Sequence, residues 1–296
     1  MITEAEPQVA GADIEALARI NADAVLDALG LAHLRRGRRT LRRLIRLHTI
    51  HFARTLASYD AEVGQLGLGP GAIWLLERFI GKLEISGHCH IPRSGPVLVL
   101  ANHPGLSDTL ALIASIPRDD LRILAADRPF LRALPRTSER LVYLGERPGQ
   151  RLSALRDISA HLREGGAMLT FPAGRIEPDP LLQPEAALSL EDWDESLRVV
   201  TRIARNIPVV PAIVSGVLSP AAQRNPITLL RRRQADREWL GCVLQTVLRP
   251  YQQVTVSVAF GPAMIEGDAR CESFITRIVA AERQLVSAEL PKCASH

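Results

Sequence analysis

Residues 97–108 read VLVLANHPGLSD, and the rest of the chain is best read outward from them. The apolar run Val97–Ala101 has strand character and stops at a polar loop, Asn102-His103-Pro104-Gly105-Leu106. Ser107 follows as a good helix N-cap, so a helix is expected over Ser107–Ile116 with Asp108 in its first turn. The alternation continues from Lys82 onward. Further strand-like runs are Leu83–Ser86, Leu121–Ala125, Leu141–Gly145, Ala167–Phe171, Val209–Val214 and Gln253–Phe260. Further helical runs fall near Gly149–Arg163, Asp194–Arg205, Gln234–Leu248 and Ala269–Leu290. Such alternation implies an α/β fold, a sheet flanked by helices.

Upstream of Lys82 the pattern is helical. Residues 12–34 carry an imperfect apolar stripe of Leu17, Ile20, Ala24, Leu26 and Leu29. After Gly37 a second helix is expected from Thr40 to about Tyr59, with Leu41, Leu44, Ile45, Leu47, Phe52 and Leu56 on its apolar side. Arg42, Arg43, Arg46 and Arg54 lie on it, and Arg35, Arg36, Arg38 and Arg39 precede it. A basic amphipathic helix suits an anionic membrane surface; the alternative is a solvated face of a packed helix. Residues 64–72, GQLGLGPGA, read as a linker rather than a nucleotide loop, since no strand precedes them and a proline sits inside. A short helix around Trp74–Ile80 completes an N-terminal helical part, residues 1–80, ahead of an α/β domain, residues 81–296.

Composition removes several classes. A chain of 296 residues, 47% hydrophobic and 23% charged, is long enough for a sizeable core and too apolar for disorder. Cys89, Cys242, Cys271 and Cys293 are scattered without a CxxC pair, so reduced thiols are expected rather than a zinc framework. His88 and His90 would share one face of a strand, but no third ligand accompanies them, and no metal is expected. The acidic start, MITEAEPQVAGADIE, lacks an apolar core, and no uninterrupted apolar run is long enough to span a bilayer. Lys82 and Lys292 are the only lysines, so the net charge of +4 is carried by arginine. No aromatic residues interleave the arginines, and nucleic acid is not an expected partner. Arg231-Arg232-Arg233 reads either as a contact for membrane phosphates or as a solvated corner.

Three strands run into loops that pair charged residues with Gly or Pro: Asn102–Asp108, Gly145–Gly149 and Phe171–Pro178. Ligands of open α/β sheets bind beyond the carboxyl ends of strands, so these loops are candidates to converge on one site. His103 and Asp108 would not share a face of a regular helix. Pro104-Gly105 favours a tight turn that brings them together. An aspartate bonded to one imidazole nitrogen fixes the tautomer and leaves the other nitrogen as a base. No GxSxG accompanies them, so this base is suited to activating a substrate hydroxyl.

NHPGLSD resembles the NHxxxxD motif of the glycerolipid acyltransferase family, which acts on lysophosphatidic acid or glycerol 3-phosphate. YLGERPGQRLSALRDISAHLREGGAMLTFPAG and IPVVPAIVSG are similar to the family's later blocks, in the same order, over roughly residues 80–262. The resemblance implies an O-acyltransferase of phospholipid biosynthesis using acyl-CoA or an acyl carrier protein as donor, with no cofactor. It implies His103 as general base, Asp108 as its orienting partner, Arg147 at the acceptor's phosphate, and Gly174 where backbone approaches the acceptor. The third block departs from the family's FPEGTRS: here it reads FPAGRIE, with Ala173, Arg175 and Ile176 in place of Glu, Thr and Arg. Arg175 is then the candidate acceptor-binding cation and Glu177 the candidate replacement carboxylate. A different amphiphilic acceptor, or a silent membrane-binding scaffold, is the competing expectation. The acyltransferase reading implies a cytoplasmic protein, peripheral on the membrane, with lysophospholipid or glycerol 3-phosphate, acyl thioester and anionic membrane as its partners.

Overall fold

The computed structural model describes residues 11–31, 37–105, 107–145, 147–183, 185–266 and 273–289. Seven strands form one sheet: β1 (Lys82–Ser86), β2 (Val97–Ala101), β3 (Arg122–Ala126), β4 (Leu141–Leu144), β5 (Ala167–Thr170), β6 (Val209–Ser215) and β7 (Thr255–Phe260). Their order is β1-β7-β6-β2-β5-β3-β4. Among these strand pairs of the described residues, β6–β7 alone is antiparallel. Helices cover both faces, so the α/β reading describes the fold. The central strands β2, β5 and β6 are buried along their whole length, as expected for unbroken apolar runs covered on two sides. At the edge, β1 is mostly exposed.

Side-chain alternation along β2 divides the core. Val97, Val99 and Ala101 face a cluster with Leu17, Ala53, Leu56, Leu68 and Leu75 from the N-terminal helices. Leu98 and Leu100 face the opposite cluster, with Leu162, Leu197 and Ile278 from three later helices. The helices Ile14–Ala28, Arg38–Leu66 and Leu68–Leu76 thus form one wall of the sheet's own core, and residue 80 marks no break in it.

Two local expectations are corrected. Residues 64–72 are not a linker: the second helix runs on to Leu66, the chain turns at Gly67 (φ 97°), and the next helix starts at Leu68. The glycines serve packing here, since a Cβ on Gly71 would lie 2.6 Å from Val63 Cγ2. Residues 88–90 form a single 3-10 turn rather than a strand, so the two imidazoles do not line up by alternation. His90 Nδ1 lies 2.9 Å from the Phe260 carbonyl, and among the described residues no group of three His, Cys, Asp or Glu side chains could hold a metal. Arg35, Arg36, Cys271 and Cys293 lie outside the described residues.

Polar side chains fasten the assembly at two places. Arg118, at the sheet's opposite end from the candidate site, donates to the carbonyls of Pro92, Gly95 and Gly165, each at 2.9 Å. Asp60, 1% exposed on the helix Arg38–Leu66, accepts from Thr137 N and Thr137 Oγ1, each at 2.8 Å, and from Arg136 N at 3.2 Å. Removing that carboxylate leaves buried donors unpaired, at about 1–3 kcal/mol each. Asp60→Ala is therefore expected to lose about 2–4 kcal/mol of stability, read as a lower urea midpoint with an unchanged slope.

Candidate active site

The site begins where β2 ends. Asn102, 3% exposed, donates from Nδ2 to the Val214 carbonyl at 2.9 Å and accepts from Val214 N–H at 2.7 Å. Its amide therefore continues the β2–β6 ladder one step past the strand and holds the loop's first residue in register. Next comes His103, then a turn closed by Asp108, whose Oδ2 accepts from Gly105 N–H at 2.8 Å. Gly105 makes a close approach here: a Cβ would meet Val217 Cγ1 at 2.9 Å, so a side chain would force Val217 to shift.

The same Oδ2 lies 2.7 Å from His103 Nδ1. Asp108 Oδ1 accepts from Thr109 Oγ1 at 3.0 Å and from the Thr109 N–H. Asp108 is fully buried, while the His103 side chain keeps 28% of its surface exposed. Ser107 precedes the helix Asp108–Ser115 as expected, yet its side chain makes no capping bond. Capping chemistry has passed to Asp108.

Burial opposes a charge on His103, but the Asp108 carboxylate, its hydrogen bond and the nearby Glu177 outweigh it and raise the imidazole above its ordinary value of 6.5. The Phe171 ring stacks against the imidazole, with centroids 4.6 Å apart and planes tilted by 30°. Among the described residues nothing bonds to Nε2, so the ring is held at one nitrogen and by one face.

The loop after β5 is tied to this turn by a reciprocal pair. His103 N–H donates to Glu177 Oε2 at 3.0 Å, and Glu177 N–H donates to the His103 carbonyl at 2.8 Å. Glu177 Oε1 accepts from Trp193 Nε1 at 2.8 Å and from Ser189 Oγ at 3.3 Å. At 2% exposure, this carboxylate is occupied inside the protein rather than turned toward an acceptor. That placement corrects the expectation for Glu177: it braces the main chain of His103. Burial, partly offset by its three donors, pushes its carboxyl up to about 7.

The remaining candidates are more dispersed. Gly174 has φ +63°, and a Cβ there would meet nothing within 4 Å, so its backbone is open to approach. Arg175 is exposed and ion-paired with Asp192, so the expected acceptor cation already has a carboxylate beside it. Arg147 is exposed at the start of the helix Pro148–Arg163, where Gln150 Oε1 accepts from its N–H at 3.2 Å. It follows β4, three strand positions from β2, or about 14 Å at the usual strand spacing. The loops after β2 and β5 thus converge, and the loop after β4 stands apart. Glu146 and Leu106 lie outside the described residues.

Sequence reasoning missed three contributors. Trp193 and Ser189 reach Glu177 only through the fold. Asp179, fully buried, accepts from Leu181 N and Leu218 N at 3.0 Å and from Gly216 N at 2.9 Å, fastening the same loop to the end of β6. Its position two residues past Glu177 could have suggested a second loop clamp.

Compared with known proteins, the chain matches the family model described as Acyltransferase over residues 82–215, a span containing all six candidate residues. Among solved structures it is similar to the crystal structure of the 1-acyl-sn-glycerophosphate (LPA) acyltransferase PlsC from Thermotoga maritima. Identity is 15% and the TM-score 0.46, over 93% of this chain and 92% of that one. No curated protein matches it.

Glu177 makes stability depend on pH. A carboxyl raised from 4.5 to about 7 in the folded state contributes stability that is complete below 4.5 and lost as pH rises to about 7. Across pH 5 to 8 the Glu177→Gln protein should show a decline in stability smaller than the parent's by up to about 3 kcal/mol, measured by urea denaturation. Parallel pH profiles for the two proteins would contradict the assignment.

Proposed function

Because residues 82–215 match the family model described as Acyltransferase, we propose that this chain is an O-acyltransferase that moves a fatty acyl group from an acyl thioester to a hydroxyl of lysophosphatidic acid or glycerol 3-phosphate. One observation carries the reading: His103 is held through Nδ1 by buried Asp108 at 2.7 Å, while among the described residues its Nε2 has no partner. Asp108 keeps the proton on Nδ1, so Nε2 carries the free lone pair. Nε2 takes the proton of the acceptor hydroxyl as its oxygen attacks the thioester carbonyl. The tetrahedral intermediate collapses by breaking the carbon–sulfur bond, and the imidazolium returns the proton to the departing thiolate. Asp108 stabilises the imidazolium in between. No covalent acyl-enzyme is needed.

The donor is acyl-CoA or an acyl carrier protein. Acceptor binding falls to the open backbone at Gly174 and to the exposed guanidinium groups of Arg147 and Arg175. For Arg175 this means exchanging Asp192 for a phosphate, which is feasible for an exposed pair of small net worth. The same pairing favours a second reading, an amphiphilic acceptor without a phosphate, in which Arg175 keeps its carboxylate.

The protein's place is the cytoplasmic membrane face, held peripherally. Among the described residues no helix is long and apolar enough to cross a membrane. The helix Arg38–Leu66 instead presents Leu44 and Leu47 at 71% and 79% exposure, beside exposed Arg43. That combination suits an anionic lipid surface.

The test is thiol release from long-chain acyl-CoA, with product mass spectrometry across lysophosphatidic acid, glycerol 3-phosphate and non-phosphorylated lyso-lipids. His103→Ala is expected to lower kcat by about 10²–10⁴-fold. In the parent, kcat/KM should rise with pH through a value above 6.5, because the base must be neutral and its pKa is raised. Absence of turnover with both acyl-CoA and carrier-protein donors sinks the proposal.

A further inference from the structure

Beyond the helix Arg38–Leu66, a second exposed apolar feature is unused by the fold. Residues 219–233, SPAAQRNPITLLRRR, connect β6 to the helix Gln234–Val247. Within them Ile227, Leu229 and Leu230 are 48%, 53% and 80% exposed. The segment is braced rather than loose. Asn225 Oδ1 accepts from Ile227 N–H at 2.8 Å, and Asn225 Nδ2 donates to Tyr251 Oη at 2.7 Å. Thr228 is fully buried and donates to the Ala222 carbonyl at 2.9 Å. Arg231 pairs with Asp236 at 2.9 Å, and its carbonyl accepts from Arg237 Nε at 2.6 Å. A turn fixed this firmly could have pointed its aliphatic side chains inward; it holds them out.

The charges around the tip select one kind of surface. Residues 219–233 contain no Asp or Glu. Arg224, Arg232 and Arg233 are exposed, and among the described residues none has a carboxylate partner. Aliphatic side chains ringed by unpaired guanidinium groups complement an anionic bilayer, with acyl chains for the leucines and phosphates for the arginines.

Position adds to this. Arg231 packs on Gly30, so closely that a Cβ there would overlap its Nη1. Pairs Arg42–Asp23 and Arg46–Glu15 show that the helices Ile14–Ala28 and Arg38–Leu66 run antiparallel. Gly30 therefore marks the end at which the helix bearing Leu44 and Leu47 begins. At its base the tip joins Val217 and Leu218, which with Cys242 line the place where a Cβ on Gly105 would fall. The wall carrying the tip is thus also a wall of the His103 turn.

We infer that residues 226–233 form a second membrane contact, in which Leu229 and Leu230 insert into an anionic bilayer while Arg232 and Arg233 bind its phosphates, placing the His103 turn beside the lipid surface. This rests on the acyltransferase reading for its purpose, but binding is measured without turnover, so the two fail separately.

The test uses the full chain and vesicles of phosphatidylcholine with or without phosphatidylglycerol. Leu230→Asp is expected to weaken flotation with the mixed vesicles about tenfold or more. Arg232→Gln with Arg233→Gln should weaken only the phosphatidylglycerol-dependent part, by roughly fivefold per arginine. A spin label at Leu230→Cys should report immersion when vesicles are added, and unchanged thermal unfolding of the variants would exclude a folding defect. Parental vesicle binding by both variants, together with a label that stays in water, overturns the inference. So does a shift from dimer to monomer in Leu230→Asp with vesicle binding intact, which would make the tip a self-association surface.

Discussion

A single carboxylate oxygen, Asp108 Oδ2, receives both the Gly105 N–H and His103 Nδ1. The shape of the turn and the orientation of the imidazole are therefore set by the same atom. The turn cannot open without disturbing the carboxylate that holds the ring, and the ring cannot rotate without taking a hydrogen-bond partner from that buried carboxylate. Asp108 is fixed in turn by the first turn of its helix and by Thr109. A pair of residues five apart becomes a preorganised unit because the intervening backbone is tied to the carboxylate as tightly as the side chain is.

That unit is anchored on both flanks of β2. Toward β6, Asn102 extends the parallel ladder with its side-chain amide. Toward β5, Glu177 exchanges two hydrogen bonds with the His103 main chain. Since β2 lies between these two strands, the turn is held from each neighbour at the carboxyl edge of the sheet. Arg118 does comparable work at the opposite edge, where it gathers three loop carbonyls. The sheet is thus stitched at both ends by buried polar side chains.

The altered third block gains a physical account from this arrangement. With Ala173 where the resembling family has glutamate, a carboxylate is still present nearby, but it comes from Glu177 and turns inward to Trp193, Ser189 and His103 N–H. The loop's buried carboxylate holds the His103 main chain, and its outer surface is left with Gly174 backbone and the Arg175–Asp192 pair.

Much was legible in the sequence for local reasons. Unbroken apolar runs identify β2, β5 and β6, because strands covered on both faces need no polar side. Helical periodicity locates the long helices, though the second runs on to Leu66, past its expected end near Tyr59, and Pro104-Gly105 with Asp108 announces the turn. What the sequence could not decide depends on contacts between distant segments. GQLGLGPGA reads as a linker until Val63 demands that Gly71 lack a side chain. Glu177 reads as the third block's replacement carboxylate, facing an acceptor, until Trp193 and the His103 N–H close over it. Arg147 reads as part of one tight loop cluster with His103 until strand order puts β4 at the sheet's edge, three positions from β2. Local sequence determined which residues could turn, cap and carry a proton; tertiary structure decided which were buried together, because desolvation and close approach belong to the pairing of segments and not to either segment alone.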